Sequence, residues 1–226
     1  MNKNLMAFAI AAVAGLASAA NADVLVTYTY DDLAGSYDQP SSTFRAVAVD
    51  NAVLQSSGDA SRLVGTPGQL GNASFDAGFV SLASFSDFQL DCDVINIVGF
   101  TAQTLNGSFT ATDVNGDRIT GHISGNWGRP APGFIFFNGA LDNVQMITTG
   151  NGLFEGDAGG SWDMNLAPAP SPYTGALVQL VFGGSTFFTA NFSNRAVGVT
   201  AQIIPTPGAI ALLGLAGVAG LRRRSR

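Results

Sequence analysis

The chain has 226 residues, a formal net charge of −6, 46% hydrophobic residues and a single cysteine, Cys92. This length allows one domain with a sizeable core, and a lone cysteine excludes an intramolecular disulfide. Residues 23–204 contain no lysine and set five arginines against all 16 acidic residues, a net charge of −11. Because phosphate backbones would repel such a domain, the composition disfavours nucleic acid as a partner. Divalent cations stay candidate partners.

The first 22 residues have the three parts of a secretory signal peptide. Lys3 supplies a positive charge, residues 5–16 form an apolar run, and Ala20-Asn21-Ala22 ends in the small-x-small pattern that precedes a cleavage site. We therefore predict a signal-peptide helix that signal peptidase removes, with a mature chain that begins at Asp23. Cleavage after Ala19 is the alternative.

Residues 23–204 follow a β pattern throughout. Apolar and polar residues alternate most clearly in the first and last segments, which predicts one inward-facing apolar side in each. The predicted strands are 24–30, 44–54, 79–90, 94–103, 108–113, 118–127, 133–137, 141–148, 177–182, 187–192 and 197–203. Many short strands without a long helix predict an all-β ectodomain, an antiparallel β-sandwich or jelly roll. Segment 79–90 also fits a helical turn or two.

Cys92 lies between Asp91 and Asp93. Negative charge on both sides would raise the pKa of a thiol and suppress its reactive thiolate. We therefore predict a buried, inert cysteine.

Asn115-Gly116 is the strongest turn signal in the chain, because both residues tolerate the positive φ of a type I′ hairpin. A two-residue turn there would place Asp113 opposite Arg118. The stretch 113–117 also resembles the first ligands of a calcium loop. An EF-hand, however, needs glycine and a bidentate glutamate where this chain has Arg118 and Ser124. We predict the hairpin and no cofactor, with calcium as the alternative.

A weak internal repeat aligns residues 119–127 with residues 154–162 as apolar-x-Gly-x-x-x-Gly-x-Trp. In a strand the glycines and the tryptophan share one face, so each indole could lie over backbone that glycine leaves bare. The same register sets residues 115–117 against 150–152, which predicts two hairpins of similar build. Two interpretations of Trp127 and Trp162 stay open: platforms that stack on sugar rings, or two core tryptophans.

The polar residues form no recognisable catalytic constellation. His122 is the only histidine, and the chain has neither a zinc-ligand spacing nor a Gly-x-Ser-x-Gly elbow. Glu155 is the only glutamate, so a glycosidase would need Asp157 or Asp163 as its second carboxylate, at alternating positions of one predicted strand. We predict a non-enzymatic protein, with a secreted hydrolase as the alternative.

Residues 205–226 form a tail with three parts. Pro205-Thr206-Pro207 stops the last strand, residues 208–221 form an uncharged apolar run, and the basic cluster 222–226 follows. A helix over 208–221 would be about 21 Å long, shorter than the ~30 Å hydrocarbon core of a bilayer. The tail therefore predicts a marginal transmembrane helix that suits a transient anchor, with the domain outside. An ordinary single-pass anchor is the alternative.

The tail resembles the PEP-CTERM sorting signal of bacterial surface proteins. The resemblance covers residues 205–226 only and is carried by these positions: Pro205, Thr206, Pro207, Gly208, Arg222, Arg223 and Arg224. Thr206 stands where the family motif has glutamate. The resemblance implies an exosortase-type enzyme that recognises and cleaves the tail, and delivery of the domain to the cell surface or to an exopolysaccharide matrix.

The sequence as a whole predicts an exported cell-surface or extracellular-matrix protein that is anchored in the inner membrane at least transiently. The alternative is a secreted carbohydrate-binding β-sandwich module that uses Trp127 and Trp162. Exopolysaccharide is a candidate binding partner under either prediction.

Overall fold

The computed structural model describes residues 23–76, 87–131, 133–166, 171–184 and 186–205. These residues form antiparallel β-strands with no helix among them, which confirms the all-β prediction for this part of the chain. The strands are β1 (Val26–Asp38), β2 (Thr43–Val47), β3 (Ser57–Arg62), β4 (Gly71–Phe75), β5 (Asp87–Asp93), β6 (Ile95–Val98), β7 (Thr101–Thr112), β8 (Arg118–Ala131), β9 (Gly133–Ile147), β10 (Leu153–Glu155), β11 (Ser161–Asp163), β12 (Tyr173–Gly184) and β13 (Phe192–Ile204).

Eight of these strands form a closed ring in the order β1-β2-β5-β7-β8-β9-β12-β13. The ring closes because β13 pairs with β12 on one side and with β1 on the other. The register sets Val26 opposite Ile203 and Tyr30 opposite Val199, and all four side chains are buried. The two segments with the clearest alternation are therefore direct neighbours, and the inward face predicted for each is confirmed.

Side chains fill the interior of the ring. A closed sheet of eight strands has an interior just wide enough for this. Phe44 on β2 stacks on Phe182 on β12 with 5.2 Å between ring centroids. Tyr28 on β1 meets Phe109 on β7 edge-on at 6.3 Å. Both contacts join strands that are not neighbours in the ring, so the aromatic residues tie its opposite parts together.

Two hairpins extend the hydrophobic core at one end of the ring, and we call this extension the smaller core. The first half of β1 pairs with β3, which pairs in turn with β4. Strands β10 and β11 form a separate two-stranded sheet against β4. Phe75, Phe154 and Trp162 are buried between the two hairpins, with centroid distances of 5.9 Å from Phe75 to Phe154 and 5.2 Å from Phe154 to Trp162.

Several predicted strand limits are wrong. Segment 94–103 is not one strand, because the chain reverses at Gly99-Phe100 and Val98 pairs with Thr101. Segment 187–192 is a connection up to Asn191 rather than a strand, although Phe187 and Phe188 are buried. In both places apolar composition suggested extended structure, while the chain uses the apolar residues at a turn and as core filling.

Other limits differ in length. Segments 133–137 and 141–148 are parts of one continuous strand, β9. Segment 44–54 is a strand only as far as Val47. Of segment 79–90, residues 79–86 lie outside the described residues and 87–90 belong to β5.

Both ends of the domain emerge from the same end of the ring, which we call the terminal end. The amide of Leu25, just before β1, donates to the carbonyl of Ile203 near the end of β13 at 2.8 Å. The opposite end, which we call the distal end, lies where Tyr37 pairs with Phe192 at the start of β13. Roughly 40 Å of strand separates the two ends, at ~3.3 Å per residue.

Candidate functional site

The predicted sorting residues lie at or beyond the edges of the described chain. Asp23 is exposed, and Pro205 is half-buried directly after β13. The other predicted sorting residues lie outside the described residues: Ala20, Ala22, Thr206, Pro207, Gly208, Arg222, Arg223 and Arg224. Within the part of the chain that the structure describes, no helix has the length and apolar character to cross a membrane.

Trp127 belongs to the main core. Its ring is 1% exposed and lies 4.7 Å from the ring of Phe137 and 5.0 Å from those of Phe44 and Phe188, measured between centroids. Its Nε1–H donates to the Thr104 hydroxyl at 2.8 Å. With its polar group satisfied and its ring packed among phenylalanines, Trp127 presents no open face on which a sugar could stack.

Trp162 belongs to the smaller core and is 2% exposed. Its Nε1–H donates to the carbonyl of Ala60 at 2.9 Å, so it joins β11 to β3. The structure therefore favours the interpretation of two core tryptophans over that of two ligand platforms.

The repeat does not produce two similar hairpins. Residues 119–127 lie in the continuous strand β8, whereas the chain from Phe154 to Trp162 reverses and forms two strands that pair with each other. The bare backbone at Gly125 is covered by Phe137 rather than by an indole. A Cβ at Gly125 would lie only 2.8 Å from the Phe137 ring and would clash with the Asn138 carbonyl.

The predicted hairpin between β7 and β8 is confirmed, but its loop has three residues rather than two. Thr112 pairs with Arg118, and the Asp113 amide donates to the Asp117 carbonyl at 2.9 Å, so Asp113 does not face Arg118. The Asp113 carboxylate stabilises this register because its Oδ1 accepts the amides of Asn115 and Asp117, both at 2.8 Å. Gly116 adopts φ +89°, as the last residue of such a loop requires.

Asp113 and Asp117 also bind the connection between β9 and β10, and we call this pair of buried residues the carboxylate clasp. Asp117 accepts the amide of Gly150 at 2.6 Å and that of Gly152 at 2.7 Å, through different oxygens. Asp113 Oδ2 accepts the amide of Glu155 at 3.0 Å. The aligned stretches 115–117 and 150–152 of the repeat are thus neighbours in space, joined by side chain to backbone.

The donor set of the clasp differs from that of a calcium site. All four carboxylate oxygens accept backbone N–H groups, an environment typical of a bound anion rather than of a cation. Burial raises the pKa of Asp113, while the hydrogen bonds from the three amides act in the opposite direction. The described residues contain no group of three or more acidic, histidine or cysteine side chains placed to hold a metal ion.

The carboxylates considered for glycosidase chemistry do not share one strand. Glu155 ends β10, Asp157 lies in the following turn and Asp163 ends β11. Glu155 accepts hydrogen bonds from the side-chain amides of Asn115 and Asn151. The chain reversal after Glu155, which the strand pattern did not predict, separates these residues.

His122 pairs with Asp142 directly across β8 and β9, with 3.1 Å between Nδ1 and a carboxylate oxygen. Both side chains are exposed on the outside of the ring. This arrangement is that of an ordinary cross-strand pair.

Cys92 on β5 is buried, as predicted. Burial raises the pKa of its thiol to about 12, a hydrogen bond with Thr104 lowers it, and the charges of Asp93 and Asp91 raise it. At neutral pH almost none of this thiol is in the reactive thiolate form.

A surface groove of about 630 Å³ lies at the distal end, and no sequence pattern indicated it. Its walls come from separate parts of the chain: Ser36, Tyr37, Asp38, Ser41, Thr43, Arg45, Asp91, Asn191, Phe192 and Ser193. Arg45 donates to Gln89 at 2.7 Å and lies 3.8 Å from the Asp91 carboxylate. The groove therefore offers hydroxyl, carboxylate, amide and guanidinium groups beside two aromatic residues, Tyr37 and Phe192.

Comparisons with known proteins give this chain no relatives, since no family model matches it and no curated protein or solved structure is significantly similar to it.

Proposed function

We propose that this protein is an exported, non-enzymatic protein of the cell surface or extracellular matrix, sorted through its C-terminal tail. The observation that carries the proposal is the adjacency of the two ends of the described domain. Residues 23–25 and 203–205 lie side by side at the terminal end, where the predicted signal peptide and the predicted tail attach. When the tail holds the domain at its terminal end, the distal end points away from the membrane.

The end of β13 supports the role of the tail as a removable signal. Ile203 is buried and pairs with both Val26 and Gly175, so the fold uses this strand up to its last residues. Pro205 cannot continue the pairing because proline has no N–H donor. Cleavage by an exosortase-type enzyme within residues 205–207 would leave every described strand in place.

We propose that the two halves of the closed ring pack on each other as the two layers of a sandwich, with the jelly roll as the alternative. The stacking of Phe44 on Phe182 supports this arrangement, because it brings two non-adjacent strands face to face across the core. The engagement of Glu155 with two asparagine side chains supports a structural rather than catalytic role for the only glutamate.

Binding of exopolysaccharide is the second candidate function, and the distal groove favours it over the tryptophans. Sugar hydroxyls pair with carboxylate, amide and hydroxyl groups such as those of Asp38, Asn191 and Ser193, and a sugar ring packs on an aromatic such as Phe192. Replacement of Asn191 by tryptophan should fill the groove and abolish retention on immobilised polysaccharide. Equal retention of the variant and the native protein would reject the groove as the polysaccharide-binding site.

The sorting proposal is tested by a chain truncated after Ile204. We expect the full chain in the membrane fraction or at the cell surface and the truncated chain in the soluble exported fraction. A second variant, with Arg222, Arg223 and Arg224 replaced by serine, should lose membrane retention while keeping the rest of the tail. Protection of Cys92 from thiol reagents verifies that each variant is folded. A truncated chain that stays with the membrane would overturn the proposal.

A further inference from the structure

The connection between β3 and β4, residues 63–70, displays apolar side chains to solvent. Leu63 is 72% exposed, and Val64 and Leu70 are exposed as well. None of these eight residues is charged, although the domain carries a net charge of −11. We call this segment the apolar loop.

The apolar loop lies at the terminal end, close to the point where the chain leaves the fold. Strand β1 has β13 on one side and β3 on the other: Thr27 pairs with Gln202 and with Ser61. Arg62, the last residue of β3, pairs with Gly71 on β4, so the loop projects from the same end of the sheet as Ile204. Two strand spacings, about 10 Å, separate β3 from β13.

The buried side chain of Arg62 fixes the conformation of the apolar loop through hydrogen bonds. The side chain is 1% exposed, and its guanidinium donates to the Val64 carbonyl at 3.3 Å and to the Gln69 side chain at 2.9 Å. The same group donates to the carbonyl of Asn165 at 2.7 Å, which ties the loop to the chain after β11. The positive charge of Arg62 is therefore buried beneath the loop, while Leu63 is exposed.

The reach of the tail sets how far the terminal end can lie from the membrane. Three residues, 205–207, separate Ile204 from the apolar run that begins at Gly208. Even fully extended, three residues span at most about 11 Å. A membrane that held the run from Gly208 would therefore lie directly against the terminal end of the ring.

We propose that the apolar loop rests in the interfacial layer of this membrane while the tail is in place. The inference rests on the proposed anchoring, and the partner is a lipid surface. Leu63, Val64 and Leu70 enter the layer between headgroups and acyl chains, where apolar side chains of peripheral proteins bind. The loop brings no carboxylate to that surface, so it limits the repulsion that an acidic domain would meet at anionic headgroups.

The test uses the full chain in phosphatidylcholine vesicles that carry a nitroxide quencher near the headgroups. A fluorophore is attached at Leu63→Cys, and in a matched variant at Val98→Cys. Val98 is 74% exposed but lies at the distal end, and native Cys92 is buried and remains unlabelled. We expect several-fold stronger quenching by the lipid nitroxide at position 63 than at position 98. A second label, at Val64→Cys, should behave as the one at position 63.

The outcomes separate the two proposals. Equal quenching at positions 63 and 98, in protein that floats with the vesicles, would overturn the inference and leave the anchoring intact. Failure of the full chain to float with the vesicles would overturn both.

Discussion

Asp113 and Asp117 face each other across the turn between β7 and β8, where the amide of Asp113 donates to the carbonyl of Asp117 at 2.9 Å. Both carboxylates are buried, yet neither pairs with a cation among the residues that the structure describes. Backbone amides from two loops surround them instead, so a stretch that resembles a metal loop in sequence acts as a clasp between segments far apart in the chain.

Replacement of Asp117 by alanine should destabilise the fold by about 2–3 kcal/mol, because two partly buried hydrogen bonds from the amides of Gly150 and Gly152 would be lost. The midpoint of urea unfolding measures the change. Asp142→Ala is the control, since its exposed pair with His122 contributes at most about 1 kcal/mol. Similar losses in the two variants would contradict the role of the clasp.

The free energy of unfolding should decrease as the pH rises through the range just above the ordinary carboxyl pKa. Burial raises the pKa of Asp87, an effect that Arg45 partly opposes, and burial also raises the pKa of Asp113. In that range the folded state keeps protons that the unfolded state has released, so rising pH removes their contribution to stability.

Asp87→Asn should make this pH dependence shallower, because one oxygen of Asp87 is buried without a hydrogen-bond partner among the described residues. Urea unfolding at a series of pH values from about 4 to about 6 measures the slope. The exposed Asp50 provides the control variant Asp50→Asn, which should keep the native slope. An unchanged slope in Asp87→Asn would show that Asp87 is not responsible.

Gly125→Ala should destabilise the protein by about 1–3 kcal/mol, the usual cost of overpacking a core. The added methyl group would lie 2.5 Å from Gly139 Cα on the neighbouring strand, where only the backbone could yield. Gly128→Ala, in the same strand, meets no described atom within 4 Å and should be neutral or stabilising. Thermal unfolding of the two variants compares them directly, and equal midpoints would contradict the predicted clash.

The intrinsic fluorescence should report two buried indoles and no contact with saccharides. Trp127 and Trp162 are packed among aromatic rings and donate to internal acceptors. We expect blue-shifted emission, protection from acrylamide until the chain unfolds, and no change during titration with polysaccharides. A spectral shift on titration would mean that a ligand reaches one of these rings.

Local periodicity was sufficient for part of the fold. The alternation in β1 and β13 predicted their inward faces, because the side chains of a strand alternate between its two sides. Asn115-Gly116 predicted a hairpin at the right place. Its register could not be predicted, because the Asp113 carboxylate, rather than the turn residues alone, selects the three-residue loop.

The sequence by itself determined the all-β class, the acidic and lysine-free surface, and the terminal signals that predict export and anchoring. Only the tertiary structure decided that both tryptophans are internal and that the distal groove exists. It also decided that the apolar loop lies beside the exit of the chain. Each of these features depends on which strands become neighbours, and pairs such as Thr27 with Ser61 and Gln202 join positions that no local pattern connects.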